Sequence, residues 1–189
     1  GDITPTALVN LKRIKGLDRI KKESEKGISI GALTSISAIE NSPLIRSSHP
    51  VLIEAANVLG SPSIRNLATL GGIIGRASPA SDMAPSLIVL QARVVIEGLN
   101  GKRELDIENF FLGPGATALS PGDLITSFFL PEKNFNSSAV YLKLGRREGL
   151  DLALVGVAVL LKLSGEKNEV REARVALSAV APVPLRAKK

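Results

Sequence analysis

The residues best suited to bind a ligand are two adjacent glycines in the stretch GGIIGRASPASD, Gly71 to Asp82. A glycine has no Cβ, so it can adopt positive φ and turn successive backbone N–H groups toward one anion. Thr69 adds a hydroxyl donor before the pair, and Asp82 adds a carboxylate that can accept hydrogen bonds from ribose hydroxyls. The pattern indicates a loop that binds a phosphate-containing ligand.

A purely structural interpretation of the same stretch stays open. Gly71 and Gly72 can form a tight turn, and Asp82 can cap a helix that begins at Met83. The G-x-G-x-x-G pattern of dinucleotide-binding folds and the Walker-type G-K-[ST] pattern are both absent. The local residues alone therefore do not decide between a ligand loop and a turn.

Composition narrows the chemistry of this chain of 189 residues, which has no cysteine and one histidine, His49. Structural zinc with cysteine ligands, iron–sulfur ligation, thiol chemistry and disulfides are excluded within the chain. His49 precedes Pro50 and has no acidic neighbour in sequence, so we expect it at a helix start or on the surface. No catalytic residue and no metal ligand are predicted.

The net charge of +6 does not predict a nucleic-acid partner. The densest basic run, Lys12 to Lys26, is interleaved with Asp18, Glu23 and Glu25, as on a solvated surface. One tyrosine and five phenylalanines leave few aromatic rings on which bases can stack. No apolar stretch is long enough to span a membrane and no signal peptide opens the chain, so we expect a cytoplasmic protein.

Hydrophobic periodicity predicts helices first and then a run of strands, which is typical of the α+β class. A polar stretch near residues 132–137 indicates a subdomain boundary. The predicted helices are 35–42, 43–60 and 82–92; the predicted strands are 27–33, the hairpin strands 93–98 and 102–106, and 124–131, 139–147, 152–163 and 170–180.

Four stretches together resemble one known family: ISIGALTSISAIENSPLI, SPSIRNLATLGGIIGRASPASDMAP, DLITSFFLP and YLKLGRREGLDLALVGVAV. The chain resembles the FAD-binding subunit or domain of molybdenum hydroxylases, the family of the carbon monoxide dehydrogenase medium chain and the xanthine dehydrogenase FAD subunit. The resemblance implies an FAD-binding fold of the p-cresol methylhydroxylase (VAO/PCMH) type in residues 1–133. Residues 134–189 are then the start of a smaller, antiparallel C-terminal flavoprotein domain.

The resemblance also implies which residues bind FAD. Asp82 matches a ligand of the nucleotide portion, Ile125 and Lys143 match positions that line the flavin, and Tyr141 is a candidate to pack near the isoalloxazine ring. A lysine there places a cation beside the flavin or the diphosphate. The remaining implied FAD contacts are the five residues of TLGGI, namely Thr69, Leu70, Gly71, Gly72 and Ile73.

In this family the flavin subunit passes electrons from 2Fe-2S clusters through FAD to an external acceptor, beside a subunit that carries the molybdenum cofactor. Two alternatives remain: a scaffold of the same fold without flavin, and a flavoenzyme resembling enolpyruvyl-UDP-sugar reductase. The family's first glycine loop, of the AGGTDL kind, is absent upstream of PTALVNLKRI, most of the region after PLRA is also absent, and Ile73 replaces a common Asn or Asp. We therefore expect the sequence to be part of a longer chain.

Overall fold

The structure is a computed structural model that describes residues 5–23, 27–132, 137–147, 150–164 and 169–188. Two 3-10 turns, Leu11–Arg13 and Ile107–Asn109, accompany the helices and strands. The helices are α1 Ile36–Glu40, α2 Pro43–Ser48, α3 Pro50–Asn57, α4 Pro62–Leu67, α5 Leu70–Gly75 and α6 Met83–Val89. The strands are β1 Ile20–Glu23, β2 Gly27–Gly31, β3 Arg93–Gly98, β4 Gly101–Asp106, β5 Phe111–Gly113, β6 Ala116–Thr117, β7 Leu124–Pro131, β8 Ser137–Leu144, β9 Val155–Leu163, β10 Val170–Ser178 and β11 Leu185–Arg186.

The first sheet has five antiparallel strands in the order β1-β2-β7-β3-β4. Its central strands alternate apolar side chains toward the helices, because successive residues of a strand point to opposite faces. Ile28 pairs with Leu130 and Ile30 with Phe128, and all four side chains are buried. This sheet and the helices that follow β2 form most of the hydrophobic core.

The second sheet has four antiparallel strands in the order β11-β10-β9-β8. One face buries Tyr141, Ala158, Leu160 and Ala176 against α3 and α6. The two sheets therefore share the helices between them, and the α+β class predicted from the sequence is confirmed. In the described part of the chain, no helix is long and apolar enough to cross a membrane.

The single helix predicted over residues 43–60 is wrong, since the structure divides it into α2 and α3. His49 between them has φ −136° and ψ 60°, which is not helical. Pro50 has no backbone N–H to continue a helix and has the φ suited to begin one. Gly60 does not cap α3, which ends at Asn57; it has φ +52° in the turn toward α4.

Most strand predictions are confirmed because the apolar alternation is regular. The β3–β4 hairpin turns between Gly98 and Gly101, and β7 has the predicted bounds. β9 begins at Val155 and β10 ends at Ser178, so each is shorter than predicted. Helix α4 was not predicted; it begins after Ser61, whose hydroxyl accepts a hydrogen bond from the Ile64 amide.

Candidate functional site

The diglycine forms the first turn of helix α5 rather than a loop. Gly71 and Gly72 lie within Leu70–Gly75, and neither has positive φ. Thr69 is the N-cap residue, and its Oγ1 accepts a hydrogen bond from the Gly72 amide at 3.1 Å. The expected positive-φ anion nest is therefore wrong, because a capping threonine continues the two glycines into a helix.

The backbone amides that were expected to bind an anion have partners within the chain. The Leu70 amide donates to the Thr34 carbonyl at 3.0 Å and the Gly71 amide to the Ala32 carbonyl at 2.8 Å. The Ile73 amide donates to the Thr69 carbonyl at 3.0 Å. These bonds join α5 to the segment that follows β2, so the first turn of α5 is part of the framework.

One point of this turn is nevertheless open to a close ligand. Gly72 is exposed, and a Cβ built there would meet only Thr69 Oγ1, at 3.0 Å. The Thr69 hydroxyl accepts from Gly72 and keeps its own proton to donate elsewhere, since a hydroxyl has one donor and two acceptor sites. A phosphate oxygen could therefore come close to the Gly72 backbone and accept a hydrogen bond from the Thr69 hydroxyl.

The apolar residues expected around the flavin differ in accessibility. Leu70 is fully buried, so it offers no accessible surface to a ligand in this structure. Ile73 and Ile125 are half-buried. A Cβ built on Gly75 would lie 3.6 Å from Ile125 Cδ1, which places Ile125 on β7 against the end of α5. Ile73 and Ile125 thus remain available for apolar contact with a ligand.

Asp82, Tyr141 and Lys143 form a second, polar cluster where α6 meets the second sheet. The Tyr141 hydroxyl donates to Asp82 Oδ1 at 3.0 Å, and Lys143 Nζ donates to Asp82 Oδ2 at 3.0 Å. The Asp82 and Lys143 side chains are only 10% and 8% exposed. Asp82 precedes α6 but makes no capping hydrogen bond with its side chain, so the simple capping interpretation is wrong.

Burial controls the protonation of this cluster. It raises the pKa of Asp82, although the hydrogen bond and charge of Lys143 and the hydrogen bond from Tyr141 act in the opposite direction. Burial and the neighbouring Asp82 carboxylate raise the pKa of the Tyr141 phenol. Tyr141 therefore keeps its proton at neutral pH and remains a hydrogen-bond donor.

Several residues that shape the cluster were missed by the sequence analysis. Lys143 Nζ also donates to the Val58 carbonyl at 3.2 Å, and the Tyr141 backbone amide donates to Glu54 Oε2 at 2.7 Å. A Cβ on Gly156 of β9 would lie 2.5 Å from the Tyr141 hydroxyl oxygen, so the absence of a side chain there makes room for the phenol. No local motif marks any of these three positions.

His49 is not a surface residue. It is 3% exposed at the junction of α2 and α3, and its Nε2 lies 3.0 Å from the Pro131 carbonyl oxygen. The expectation of a helix start is confirmed, because His49 is the N-cap residue of α3. Its contacts join this junction to the end of β7.

Two family models together match nearly the whole chain. The FAD binding domain in molybdopterin dehydrogenase matches residues 1–133. The CO dehydrogenase flavoprotein C-terminal domain matches residues 140–189. The two matches include the first sheet with α5 and the second sheet with Tyr141 and Lys143, respectively.

Curated relatives and solved structures agree with these matches. The glyceraldehyde dehydrogenase medium chain of Sulfolobus acidocaldarius is 35% identical over 98% of this chain and 64% of its own length. The carbon monoxide dehydrogenase medium chain of Hydrogenophaga pseudoflava is 35% identical over 96% of this chain and 62% of its own length. The structure of carbon monoxide dehydrogenase from the same organism has a TM-score of 0.89 at 35% identity, covering 94% of this chain and 61% of that one.

The fold and the matched residues define a flavoprotein class built from an FAD-binding domain and a C-terminal antiparallel sheet. This chain belongs to the FAD-binding family of molybdopterin dehydrogenases, and the family resemblance seen in its sequence is confirmed. FAD is the cofactor that defines this family. The chain spans less than two thirds of the length of these relatives.

Proposed function

We propose that this chain is the FAD-binding part of an electron-transfer subunit in a molybdenum-containing hydroxylase or dehydrogenase, an oxidoreductase. The observation that carries the proposal is the match of residues 1–133 to the FAD-binding family. Bound FAD supplies redox chemistry that can accept electrons singly and release them in pairs. The chain's own part is to hold and orient the cofactor and to provide charge and hydrogen bonds beside it.

The open surface at the start of α5 is proposed to receive the diphosphate. The Thr69 hydroxyl donates its free proton to a phosphate oxygen, and the bare backbone at Gly72 permits close approach. Gly71 supports this arrangement by packing tightly on Ala32. The amides of residues 70, 71 and 73 hold the turn in place and need not bind the ligand themselves.

The remaining proposed contacts supply a polar edge and an apolar surface. Lys143 provides the cation, and its ammonium donates to Asp82 Oδ2 and to the Val58 carbonyl. Tyr141 holds the other oxygen of Asp82. A fixed charge beside a redox group changes its potential without the cost of reorganising solvent. The apolar contacts are the half-buried side chains of Ile73 and Ile125.

Two partners follow from the proposed function: a 2Fe-2S subunit that delivers electrons and a subunit that carries the molybdenum cofactor. Supporting this, similar proteins are named as medium chains of carbon monoxide and glyceraldehyde dehydrogenases. Co-purification with tagged protein from its native cells tests the partners. Iron, sulfide and molybdenum in constant ratio to flavin support them, whereas flavin protein without these elements contradicts them.

One structural observation favours a second candidate, a scaffold of the same fold that does not bind flavin. The amides of residues 70–73 are all used within the chain, and Ile73 presents no polar side chain to a ligand. Under this alternative the purified protein is colourless and still binds its partner subunits. A flavin absorption spectrum in the purified protein excludes it.

Gly72→Val tests the proposed diphosphate position. Valine projects from exposed backbone into the space that the ligand needs, so we expect the FAD dissociation constant to rise at least about tenfold. Helical stability changes little, because valine is no worse than glycine in a helix. Binding is measured by titration of the flavin-free protein with FAD, and folding by thermal unfolding.

Gly113→Val is the matched control. Gly113 lies on β5, and a Cβ there has only an ordinary contact of 3.8 Å with Ala116 Cβ. We expect its FAD affinity to stay within about twofold of the unchanged protein. Equal FAD affinity in the Gly72→Val and Gly113→Val proteins overturns the assignment of the diphosphate to α5.

A further inference from the structure

Strand β8 lies at the edge of the second sheet, and its outer side is bonded to helix α3. The Tyr141 backbone amide donates to Glu54 Oε2 at 2.7 Å. Two residues further along β8, Lys143 Nζ donates to the Val58 carbonyl at 3.2 Å. An edge strand normally leaves such amides to solvent or to another strand. Here a carboxylate from α3 accepts the hydrogen bond.

The two contacts can form together because Glu54 and Val58 are about as far apart along α3 as Tyr141 and Lys143 are along β8. Glu54 and Val58 are four residues apart, which corresponds to a rise of about 6 Å along a helix. Tyr141 and Lys143 are two residues apart, which corresponds to about 6.7 Å along a strand. Glu54 on α3 and Val58 at its C-cap therefore hold β8 at two points, Tyr141 and Lys143.

Fixing β8 also aims two side chains at Asp82. Tyr141 and Lys143 share one face of β8, since residues two apart in a strand point the same way. Their hydroxyl and ammonium groups each reach an oxygen of the Asp82 carboxylate at 3.0 Å. A shift of β8 relative to α3 would move both donors together.

We propose that Glu54 is a positioning residue of the cofactor site, which acts by holding the Tyr141 amide so that Tyr141 and Lys143 converge on Asp82. The cofactor part of this inference rests on the proposed function. The positional part concerns only residues of this chain and can be measured without flavin. Glu54 is half-buried beside β8 and is absent from every sequence motif discussed above.

The first experiment compares Glu54→Ala with Glu54→Gln in the flavin-free chain. Tyr141 is the only tyrosine among the 189 residues and there is no tryptophan. The intrinsic fluorescence of the protein therefore reports on this residue. Tyr141 is 4% exposed, and we expect acrylamide to quench it poorly in the unchanged chain. Glu54→Ala removes the acceptor and should raise quenching clearly, whereas the glutamine oxygen still accepts from the amide and should preserve protection.

The second experiment measures FAD binding by the same proteins. Because Tyr141 and Lys143 are then no longer held in place on Asp82, we expect the FAD dissociation constant to rise about tenfold in Glu54→Ala. Glu54→Gln should stay within about twofold and keep the position of the bound-flavin absorption bands. Asn57→Ala, an exposed substitution on the same helix, is the matched control and should resemble the unchanged protein in both experiments.

The outcomes separate this inference from the proposed function. If the unchanged protein binds no FAD, the proposed function fails, and the quenching comparison still decides the role of Glu54. Unaltered quenching in Glu54→Ala, or equal defects in Glu54→Ala and Glu54→Gln, overturns the positioning role. If Glu54→Ala does not fold, amide exchange decides: slow exchange at Tyr141 in the unchanged chain supports the hydrogen bond, and unprotected exchange overturns it.

Discussion

At the scale of single residues, the Asp82–Lys143 pair has an unusual environment for two charges, with side chains 10% and 8% exposed. Removing one partner leaves the other charged, buried and uncompensated, which typically costs more than the pair itself contributes. We expect Lys143→Met to lower the free energy of unfolding by about 3 kcal/mol or more, measured by urea denaturation.

The double variant Asp82→Asn and Lys143→Met tests the cause of that loss. With both charges removed, no uncompensated ion remains, so the double variant should be more stable than Lys143→Met alone. The single variant Asp82→Asn completes the comparison. If the double variant loses as much unfolding free energy as Lys143→Met and Asp82→Asn lose in sum, the two charges do not act on each other.

The Tyr141 phenol makes stability depend on pH in alkaline solution. Burial and the Asp82 carboxylate raise the pKa of this phenol above its ordinary value of 10.0. The unfolded chain releases the proton near that value while the folded chain keeps it, so stability is lost as pH rises above it. We expect unfolding free energies between about pH 9 and about pH 11 to fall more steeply in the unchanged protein than in Tyr141→Phe.

Every other ionisable group is common to the two proteins, so the difference between their slopes reports the Tyr141 phenol. Absorbance at 295 nm gives a direct second measurement, because Tyr141 is the only tyrosine of the chain. The phenol should ionise only when the protein unfolds. Ionisation near pH 10 in the folded protein, or equal slopes for the two proteins, would refute the burial argument.

Sequence alone could name the residues of this cluster only through family resemblance. Tyr141 and Lys143 lie 59 and 61 residues from Asp82 along the chain, so no local spacing shows that they meet. At the diglycine, by contrast, the residue types led to a specific structural prediction that is wrong. Its residue types suit a positive-φ nest, but the Thr69 cap and the hydrogen bonds to Ala32 and Thr34 convert it into a helix.

At the scale of elements, helix α5 lies on the end of β2 with almost no space between them. A Cβ on Gly71 would come within 2.7 Å of Ala32 Cβ and 2.8 Å of the Ala32 carbonyl oxygen. We expect Gly71→Ala to lower the free energy of unfolding by about 1–3 kcal/mol, measured by urea denaturation, because the helix must move away from the strand.

The neighbouring Gly72→Ala is the natural comparison. Its Cβ meets only Thr69 Oγ1, at 3.0 Å, on an exposed surface, and alanine favours helix more than glycine does. We expect it to be neutral or slightly stabilising. If Gly71→Ala is no less stable than Gly72→Ala, the close packing of α5 on β2 is wrong.

Most helices and strands could be predicted from the spacing of apolar residues. The predictions fail where a restriction on the backbone overrides that spacing. β7 and the β3–β4 hairpin were predicted because alternation and a short turn agree. The break between α2 and α3 was missed because apolar spacing continues across it while Pro50 cannot donate its amide. Short helices such as α4 give too few turns for a periodic signal.

At the scale of the whole molecule, the candidate site depends on both sheets. Asp82 belongs to the helical layer shared with the first sheet, whereas Tyr141 and Lys143 belong to the second sheet. Their hydrogen bonds tie the two halves matched by the two family models. The polar cluster therefore has a structural role at the junction as well as its proposed role beside the cofactor.

The outer face of the second sheet gives the last prediction. Opposite Tyr141, strand β8 exposes Val140, Leu142 and Leu144, at 42%, 68% and 60%, and no described residue covers them. They pair with valines of β9, so the apolar surface is continuous across strands. Contiguous exposed apolar surface promotes association. We expect the 189-residue chain to self-associate as its concentration rises, measured by sedimentation velocity.

Substituting Leu142 and Leu144 together by lysine should shift this equilibrium to the monomer. Two like charges would then lie on the outer face of edge strand β8, where two copies of the chain would meet. The side chains have few contacts to lose, so thermal stability should change little. Leu99→Lys is the control, since Leu99 is 94% exposed at the separate β3–β4 turn. Sedimentation that is the same in the double variant as in Leu99→Lys would show that this sheet face does not drive association.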